Sequence, residues 1–488
     1  MLLSYTTAFV FLGVIVAISI VKTLLPTLHN PLNALPGPWH TKLTNLRLKL
    51  AVLTGRRIHY IHSLHTKYGP YVRISPTEIA VNDPAGNKHI HGVGSNFEKS
   101  AWYNDFTVMD RPTLFTMQER RSHAARRKLF ARGFSRSNLK TNWEGVIKEK
   151  VELVVRKVQE EAGRQGGKVD LLKWFTLMAS DVSSHLMFGE SFHTLEQGEV
   201  NEFIRVMTLA LKGNGIGAEL PLVRAVGKWL PFKAVRELWQ TNEILDEYAR
   251  VAVRNMKAAG GGKNIFANML AESEKGEEGA LDDRDVEIEA TALFIAGTDT
   301  TAVSLTYLIW AVLRKPDLRI QLENEVSTLP EVYTDADTEK LPFLSAVIEE
   351  TMRLYGAAPG MLPRIVPPGG VDMGGFYIPQ GMTVTTHAYS AHRDPEVFPD
   401  PLEFNPRRWL GDEAAVASMK AALSGFGSGA RSCLGIHLAY TELRLAAAEF
   451  FRRCQGSRLA ESATPESMEF ENFFLIAPRS DRCEIVVA

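Results

Sequence analysis

One cysteine in this chain sits where a thiolate could be put to use. Cys433 lies in the decapeptide Phe426-Gly427-Ser428-Gly429-Ala430-Arg431-Ser432-Cys433-Leu434-Gly435, with an arginine two residues ahead and a helix-forming segment behind. Peptide N–H donors of such a turn, and the positive end of the following helix, both lower a cysteine's pKa. Gly429 and Gly435 let backbone approach a flat, bulky ligand where a side chain would collide. The competing reading is an inert, buried structural thiol.

Two further constellations could do chemistry or support it. Ala292-Leu293-Phe294-Ile295-Ala296-Gly297-Thr298-Asp299-Thr300-Thr301 reads as a long buried helix with a polar centre. A buried acid and hydroxyl are costly unless something satisfies or uses them. Gly297 permits close approach, and Thr300 can bond a carbonyl one turn back and open the ladder, leaving room for water and a proton path. A helix kink with a satisfied threonine pair is the alternative. Glu350 and Arg353, three apart, share one helix face and can pair; alone, such a pair is usually solvated and worth little.

The pattern F-x-x-G-x-R-x-C-x-G is matched at every fixed position and resembles the haem-binding loop of the cytochrome P-450 family. A-G-x-D-T-T, E-x-x-R and Phe404-Asn405-Pro406-Arg407-Arg408-Trp409 fall in that family's order. The stretch Cys433–Ala439, with Glu442-Leu443-Arg444-Leu445, looks most like fungal secondary-metabolism members of the microsomal type. The resemblance implies that Cys433 is the axial thiolate ligand of haem b, in a loop shaped by Phe426, Gly429 and Gly435. It implies that Arg431, Arg364, His123 and Arg127 meet the haem propionates, His123 standing where W-x-x-x-R has tryptophan. Thr300 would position protons and water at dioxygen, with Asp299 relaying them. Glu350, Arg353 and Arg408 would form a structural lock. Arg407 occupies a place where the family more often has an acid.

The implied activity is that of a monooxygenase that hydroxylates or epoxidises a lipophilic small molecule, the thiolate pushing electron density onto iron to favour O–O cleavage. No convincing flavin or nicotinamide site is present, and Gly213–Ala218 lacks the strand–turn–helix context of a dinucleotide fingerprint. Electrons from NADPH would therefore arrive through a separate reductase. Two other readings stand beside this one. An isomerase or dehydratase would rearrange a peroxide without reductase, but has no need of the Asp299-Thr300 pair; a membrane-tethered haem carrier or gas sensor would not consume NADPH.

These residues need a large scaffold. The 488 residues are 45% hydrophobic and 23% charged, enough for a sizeable core. A net charge of -1 argues against nucleic-acid binding. Three cysteines, Cys433, Cys454 and Cys483, make neither a disulfide framework nor a C-x-x-C zinc pair. Residues 2–22 form an apolar run long enough to span a bilayer, and the positive charges follow it. We expect an uncleaved transmembrane anchor, a stiff proline-rich neck over 23–38, and a domain over 39–488 on the cytosolic side of the endoplasmic reticulum. That domain should be mainly α: a single P-450-type helical body with a small β region. Short strands are expected at Tyr71–Ile74, Glu78–Val81, within Val371–Thr386 and near Cys483–Val487, with helices over Trp143–Ala162 and Val169–Phe188. The basic run Glu119–Arg136 is either a solvated face or a docking patch for an acidic partner. Candidate pocket walls are Phe97, Trp102, Phe106, Phe115, Phe294, Ala296, Gly360–Leu362 and Phe473–Leu475. They suggest an apolar cavity with few charged anchors.

Overall fold

The computed structural model describes residues 30–488, apart from 108, 228, 230, 232, 259–262 and 267–280. The proposed anchor, the first part of the neck and the glycine loop at 260–262 lie outside the described residues. Elsewhere the chain is mainly helical, with short strands gathered into small sheets.

The helix Asp283–Leu313 runs through the middle of the core. Its start is fixed by a reciprocal cap: Asp282 accepts from the Asp285 amide at 2.9 Å, and Asp285 accepts from the Asp282 amide at 3.4 Å. Its C-terminal half is buried throughout, from Thr301 to Leu313. Among the described residues it is the one helix long and apolar enough to cross a membrane, but most of its apolar window is covered by protein. It packs most extensively on Leu171–Phe188, which Asp170 caps and Gly189 ends in a left-handed turn. The two helices approach closely at Gly297, where a Cβ would lie 2.6 Å from Ser183 Oγ.

Glu144–Arg164, Pro342–Tyr355 and Ile436–Arg453 complete the helical core around this pair. Glu202–Glu219 and Lys233–Ala258 pack on each other. The dismissed glycine run lies inside Glu202–Glu219 and serves packing: a Cβ on Gly215 would meet the Phe473 carbonyl oxygen at 1.9 Å.

The main sheet has five strands in the order Tyr71–Arg73, Glu78–Val81, Thr383–Thr386, Arg364–Ile365, Glu98–Lys99. The first two form the expected antiparallel pair, and Glu78–Val81 runs parallel to Thr383–Thr386. At the far edge Lys99 pairs with Arg364. Val371–Met373 and Phe376–Ile378 make a separate hairpin, and Glu484–Val486 joins Lys168–Asp170 and Arg458–Leu459. The neck departs from expectation. Pro31–Ala34 is a turn of 3-10 helix, Leu32 and Leu35 are buried beneath the sheet, and the Arg73 amide donates to the Pro36 carbonyl at 2.9 Å. From Pro31 onward the segment is part of the globule, because its leucines have an apolar face to cover.

Candidate active site

The Cys433 loop forms one wall of a cavity of about 890 Å³. The loop closes through the Cys433 amide, which donates to the Phe426 carbonyl at 2.7 Å, and through Arg127, whose guanidinium donates to the Ser432 carbonyl at 2.7 Å. Gly429 has φ +64°, and a Cβ there would lie 1.9 Å from the His91 carbonyl oxygen, so that position tolerates only glycine. Gly435 has ordinary backbone angles, and the nearest atom to a Cβ there is Cys433 Sγ at 4.0 Å. Its glycine leaves open space beside the sulfur. Phe426 packs on Tyr440 and also lines the cavity. Burial pushes the pKa of the Cys433 thiol up, and the Gly435 amide and Arg127, which act the other way, do not overcome it.

Cations crowd the adjoining wall. Arg431 donates to the carbonyls of Met117 and Gln118 at 2.7 and 2.5 Å, and Arg364 to Tyr103 Oη at 2.9 Å. Lys99 donates to the Phe115 carbonyl. Among the described residues none of Lys99, Arg127, Arg364 and Arg431 forms an ion pair with a carboxylate, yet Lys99 and Arg364 are buried and directly opposed across two strands. Like charges so placed repel. Burial, then the neighbouring arginines, push Lys99 well down, and burial followed by Arg364 takes Arg431 to about 10. His123 is buried in the same cluster and pushed down to about 3, by burial first and Arg431 second. Both effects favour its neutral form. Lys99 escaped the sequence reading because a lone lysine carries no pattern; its place follows only from sheet register.

On the central helix, Thr300 lines the cavity and donates to the Ala296 carbonyl at 2.6 Å, as expected. Asp299 is partly buried, its carboxyl is pushed up to about 7 by burial, and it does not line the cavity. Thr301 does, and donates to Glu442 Oε2 at 2.8 Å. Glu442 was not foreseen as a site residue, although its helix phase signalled it. Leu438, Glu442, Leu445 and Glu449 fall on one buried face.

The expected lock is assembled away from the cavity. Arg353 makes two 2.8 Å bonds to Glu350, Arg408 donates to Glu350 at 3.1 Å, and the Trp409 Nε1–H donates to Glu350 at 3.0 Å. Arg407 instead faces outward to Asp317 at 3.2 Å and Gln321 at 2.9 Å. The basic run divides likewise. Arg127 turns inward, Arg126 pairs with buried Glu289 at 3.0 Å, and Arg121 and Lys128 stay exposed.

Of the expected walls, Phe106, Phe115, Ala296, Gly360, Leu362, Phe474 and Leu475 line the cavity. Phe97 packs beneath the sheet, Trp102 stacks on Phe106 from behind, and Phe294 is core among Phe188, Phe192 and Phe203. Met361 and Phe473 do not line it either. The cavity is also less uniformly apolar than expected. Asn214 and Asn242 exchange hydrogen bonds of 3.2 and 2.9 Å on its wall, and Arg284, paired with Asp110 and Asp246 at 2.8 Å, stands beside them.

A mostly helical body enclosing one large cavity, with a cysteine loop on one wall and acid-free cations on the next, is the architecture of a protein that houses a flat anionic prosthetic group. The family comparison agrees: residues 36–484 match the Cytochrome P450 family model, and the chain belongs to that family, which implies a haem cofactor. The chain is 40% identical over 483 residues to the cytochrome P450 monooxygenase cypX of Dothistroma septosporum, covering 96% of this chain and 93% of that one. It is 40% identical over 469 residues to stcB of Emericella nidulans, covering 94% and 89%, and 38% identical over 487 residues to aflV of Aspergillus parasiticus, covering 97% and 94%. Both carry the same description, cytochrome P450 monooxygenase. This protein is accordingly a monooxygenase of the fungal P450 type.

Proposed function

We propose that Cys433 binds the iron of haem b as a thiolate, and that the chain oxidises a lipophilic fungal secondary metabolite by hydroxylation or epoxidation. The observation that carries this reading is the conjunction of a cavity-facing cysteine with four cations that, among the described residues, form no ion pair with a carboxylate. When bound, haem would supply oxygen activation, and the thiolate would favour O–O cleavage. Arg127, Arg364, Arg431 and Lys99 would hold the two propionates by charge, and neutral His123 by a hydrogen bond. Thr300 would hold water or a proton at the cavity face. Asp299, one residue before it and off the cavity, would pass protons from the outer side. Glu350, Arg353 and Arg408 would keep the loop's scaffold in place.

The substrate would carry its reacting carbon in the apolar part, against Ala296, Leu362 and Phe474. Hydrogen-bonding groups at its far end would meet Asn214 and Asn242. Electrons would come from NADPH through a separate reductase, for which exposed Arg121 and Lys128 offer a basic approach surface. The N-terminal apolar run would hold the protein to the endoplasmic reticulum in a single pass, its catalytic body facing the cytosol.

The ligand assignment is tested by adding carbon monoxide to the dithionite-reduced, haem-loaded protein. A Soret band near about 450 nm is expected for thiolate ligation, and its loss in Cys433→Ser. A wild-type protein without that band overturns the assignment. Substrate-stimulated NADPH consumption that needs added reductase supports the monooxygenase route; rearrangement of an organic hydroperoxide with no oxygen atom passed to a second molecule, and no NADPH consumption, points to the isomerase reading.

A further inference from the structure

The polar corner of the cavity has a cation of its own, apart from the four beside the cysteine loop. Arg224, on the short helix Pro221–Gly227, lines the cavity together with Trp239, Asn214 and Asn242. It lies half-buried against Gly217, where a Cβ would collide with the guanidinium, and 5.8 Å from the Trp239 ring. Trp239 in turn occupies the space at Gly227, where a Cβ would collide with Nε1. Two glycines on adjoining helices thus make room for one guanidinium and one indole.

What these groups lack is an acceptor. A guanidinium carries five N–H donors. Those of Arg224 reach the Asp105 carbonyl and, at 3.2 Å, the Asn214 carbonyl, while its Nε is buried with no partner. Among the described residues no carboxylate pairs with it. Nearby acids are engaged or face outward: Glu219 pairs with Arg57, Asp246 with Arg250 and Arg284 at 2.8 Å, and Asp105 and Glu243 are exposed. Trp239 is 5% exposed, and its Nε1–H is buried without an acceptor. The exchange between Asn214 and Asn242 leaves one N–H on each side-chain amide. A buried donor left unmade costs about 1–3 kcal/mol, more when charged. A brace between helices needs the two carbonyl bonds of Arg224, but not an orphaned indole N–H beside them. The surplus donors fit a planar oxyanion, which takes two N–H bonds from a guanidinium at once. Next to this corner Phe106, Phe115 and Phe474 line the cavity with ring centroids 4.6 to 5.7 Å apart.

We propose that this corner is an oxyanion subsite, in which Arg224, with Trp239 Nε1–H and Asn242, binds an ionised carboxylate or acidic phenolate at one end of the substrate. The lipophilic body of that molecule lies along Phe106, Phe115 and Phe474, toward the cysteine loop. A neutral amide or ether of the same shape leaves the Arg224 charge unanswered and binds more weakly. That the anion belongs to an oxidised substrate rests on the function proposed above; the preference of the corner for an anion does not.

The test is equilibrium dialysis of the full-length, haem-loaded protein against two matched pairs of probes: biphenylcarboxylate with biphenylcarboxamide, and pentachlorophenolate with pentachloroanisole. At least one anion should bind at least about tenfold more tightly than its neutral partner, a difference of about 1.4 kcal/mol; which one does so identifies the acid. In Arg224→Met the preference should shrink below about twofold through loss of anion affinity, with the neutral probe bound as before. Arg224→Lys should restore part of it. Trp239→Phe keeps a ring and removes the N–H, and should weaken the anion by about threefold while leaving the neutral probe unchanged. Equal affinity within both pairs overturns the proposal, as does a preference that survives Arg224→Met. Equal loss of anion and neutral probe in Arg224→Met, the result a helix brace would give, overturns it too. An anion preference that depends on Arg224 in a protein lacking the carbon monoxide band would instead overturn the haem-thiolate reading and leave the subsite standing.

Discussion

Two buried clusters of charge in this molecule are built from the same side chains and differ in how completely they are answered. At the lock, Glu350 receives Arg353, Arg408, the Trp409 indole and the Asn405 amide at 2.8 to 3.1 Å. The remaining Arg353 donors go to the carbonyls of His392, Pro401 and Glu403 at 2.7 to 3.0 Å. In the cavity, Lys99, Arg127, Arg364 and Arg431 donate to carbonyls and hydroxyls, with Lys99 and Arg364 also over the Tyr103 ring, and none meets a carboxylate among the described residues. A buried charge is tolerable when paired and hydrogen-bonded. The closed network therefore holds chain to chain, and the open one keeps its binding capacity for an anionic guest.

The sharpest way to break the contrast is to open the closed side. Glu350→Ala strands two guanidiniums and an indole in the interior, and removing one partner of a buried pair costs about 3–5 kcal/mol. Chemical unfolding should register most of that loss, with little haem-loaded protein recovered. The Lys99→Met protein should unfold no more easily than wild type when haem-free, since the repulsion it relieves offsets the bond to the Phe115 carbonyl that it gives up.

Acid attacks the lock by another route. His392 Nδ1 lies 2.9 Å from the Arg353 carbonyl, and its Nε2 accepts from the Ser424 amide at 2.9 Å. Only the neutral Nδ1–H tautomer satisfies both. Burial holds this imidazole down at about 3. Because the folded pKa lies below the unfolded one, the contribution is complete above about pH 6.5 and is lost as pH falls toward 3. Stability should drop by about 1.4 kcal/mol per pH unit for this one group. A His392→Asn protein should show that much less slope between pH 6 and 4.

On the open side the effect should fall on the guest. Arg431→Met removes one cation of the cluster, and haem retention, measured by transfer to an apo-globin acceptor, should weaken by about tenfold, or about 1.4 kcal/mol. Thermal stability of the haem-free protein should stay level. Equal losses in both measurements would mean that Arg431 is bracing the loop through Met117 and Gln118, and the contrast would fail there.

What could be read from the chain alone was what lies close together along it. The cysteine turn, the Gly297–Thr301 interruption and the three-residue spacing of Glu350 and Arg353 are local patterns, and turn and helix geometry interpret them. Lys99 depends on strand register, which no local pattern encodes; the helix phase of Glu442 marks it as inward-facing, but its meeting with Thr301 depends on the packing of distant helices. Phe294 was misplaced for a simpler reason. It lies two residues from Ala296, so their side chains point about 200° apart on the helix; once Ala296 faces the cavity, Phe294 must face the core. At Cys433 the donor of the turn and Arg127 do lower the thiol's pKa, but the burial that opposes them comes from the whole fold and has no local signature.

The smallest expected effect bears on the one ambiguity within the lock. Arg408 was the residue expected in the lock and Arg407 the unusual neighbour, and the structure sends the two opposite ways. Arg408 reaches Glu350 and the Pro399 carbonyl, while Arg407 meets Asp317 at the surface, where both partners are more than half exposed. An exposed ion pair is worth about 0–1 kcal/mol, and salt screens it. Arg407→Ala should therefore shift the unfolding midpoint within about 0.5 kcal/mol of wild type, less still at high salt. Arg408→Ala should cost several times as much and keep that cost in salt, because its partner Glu350 is shielded from water. If the two substitutions cost the same, the distinction between a sealed structural network and its solvated fringe would not hold even for neighbouring residues.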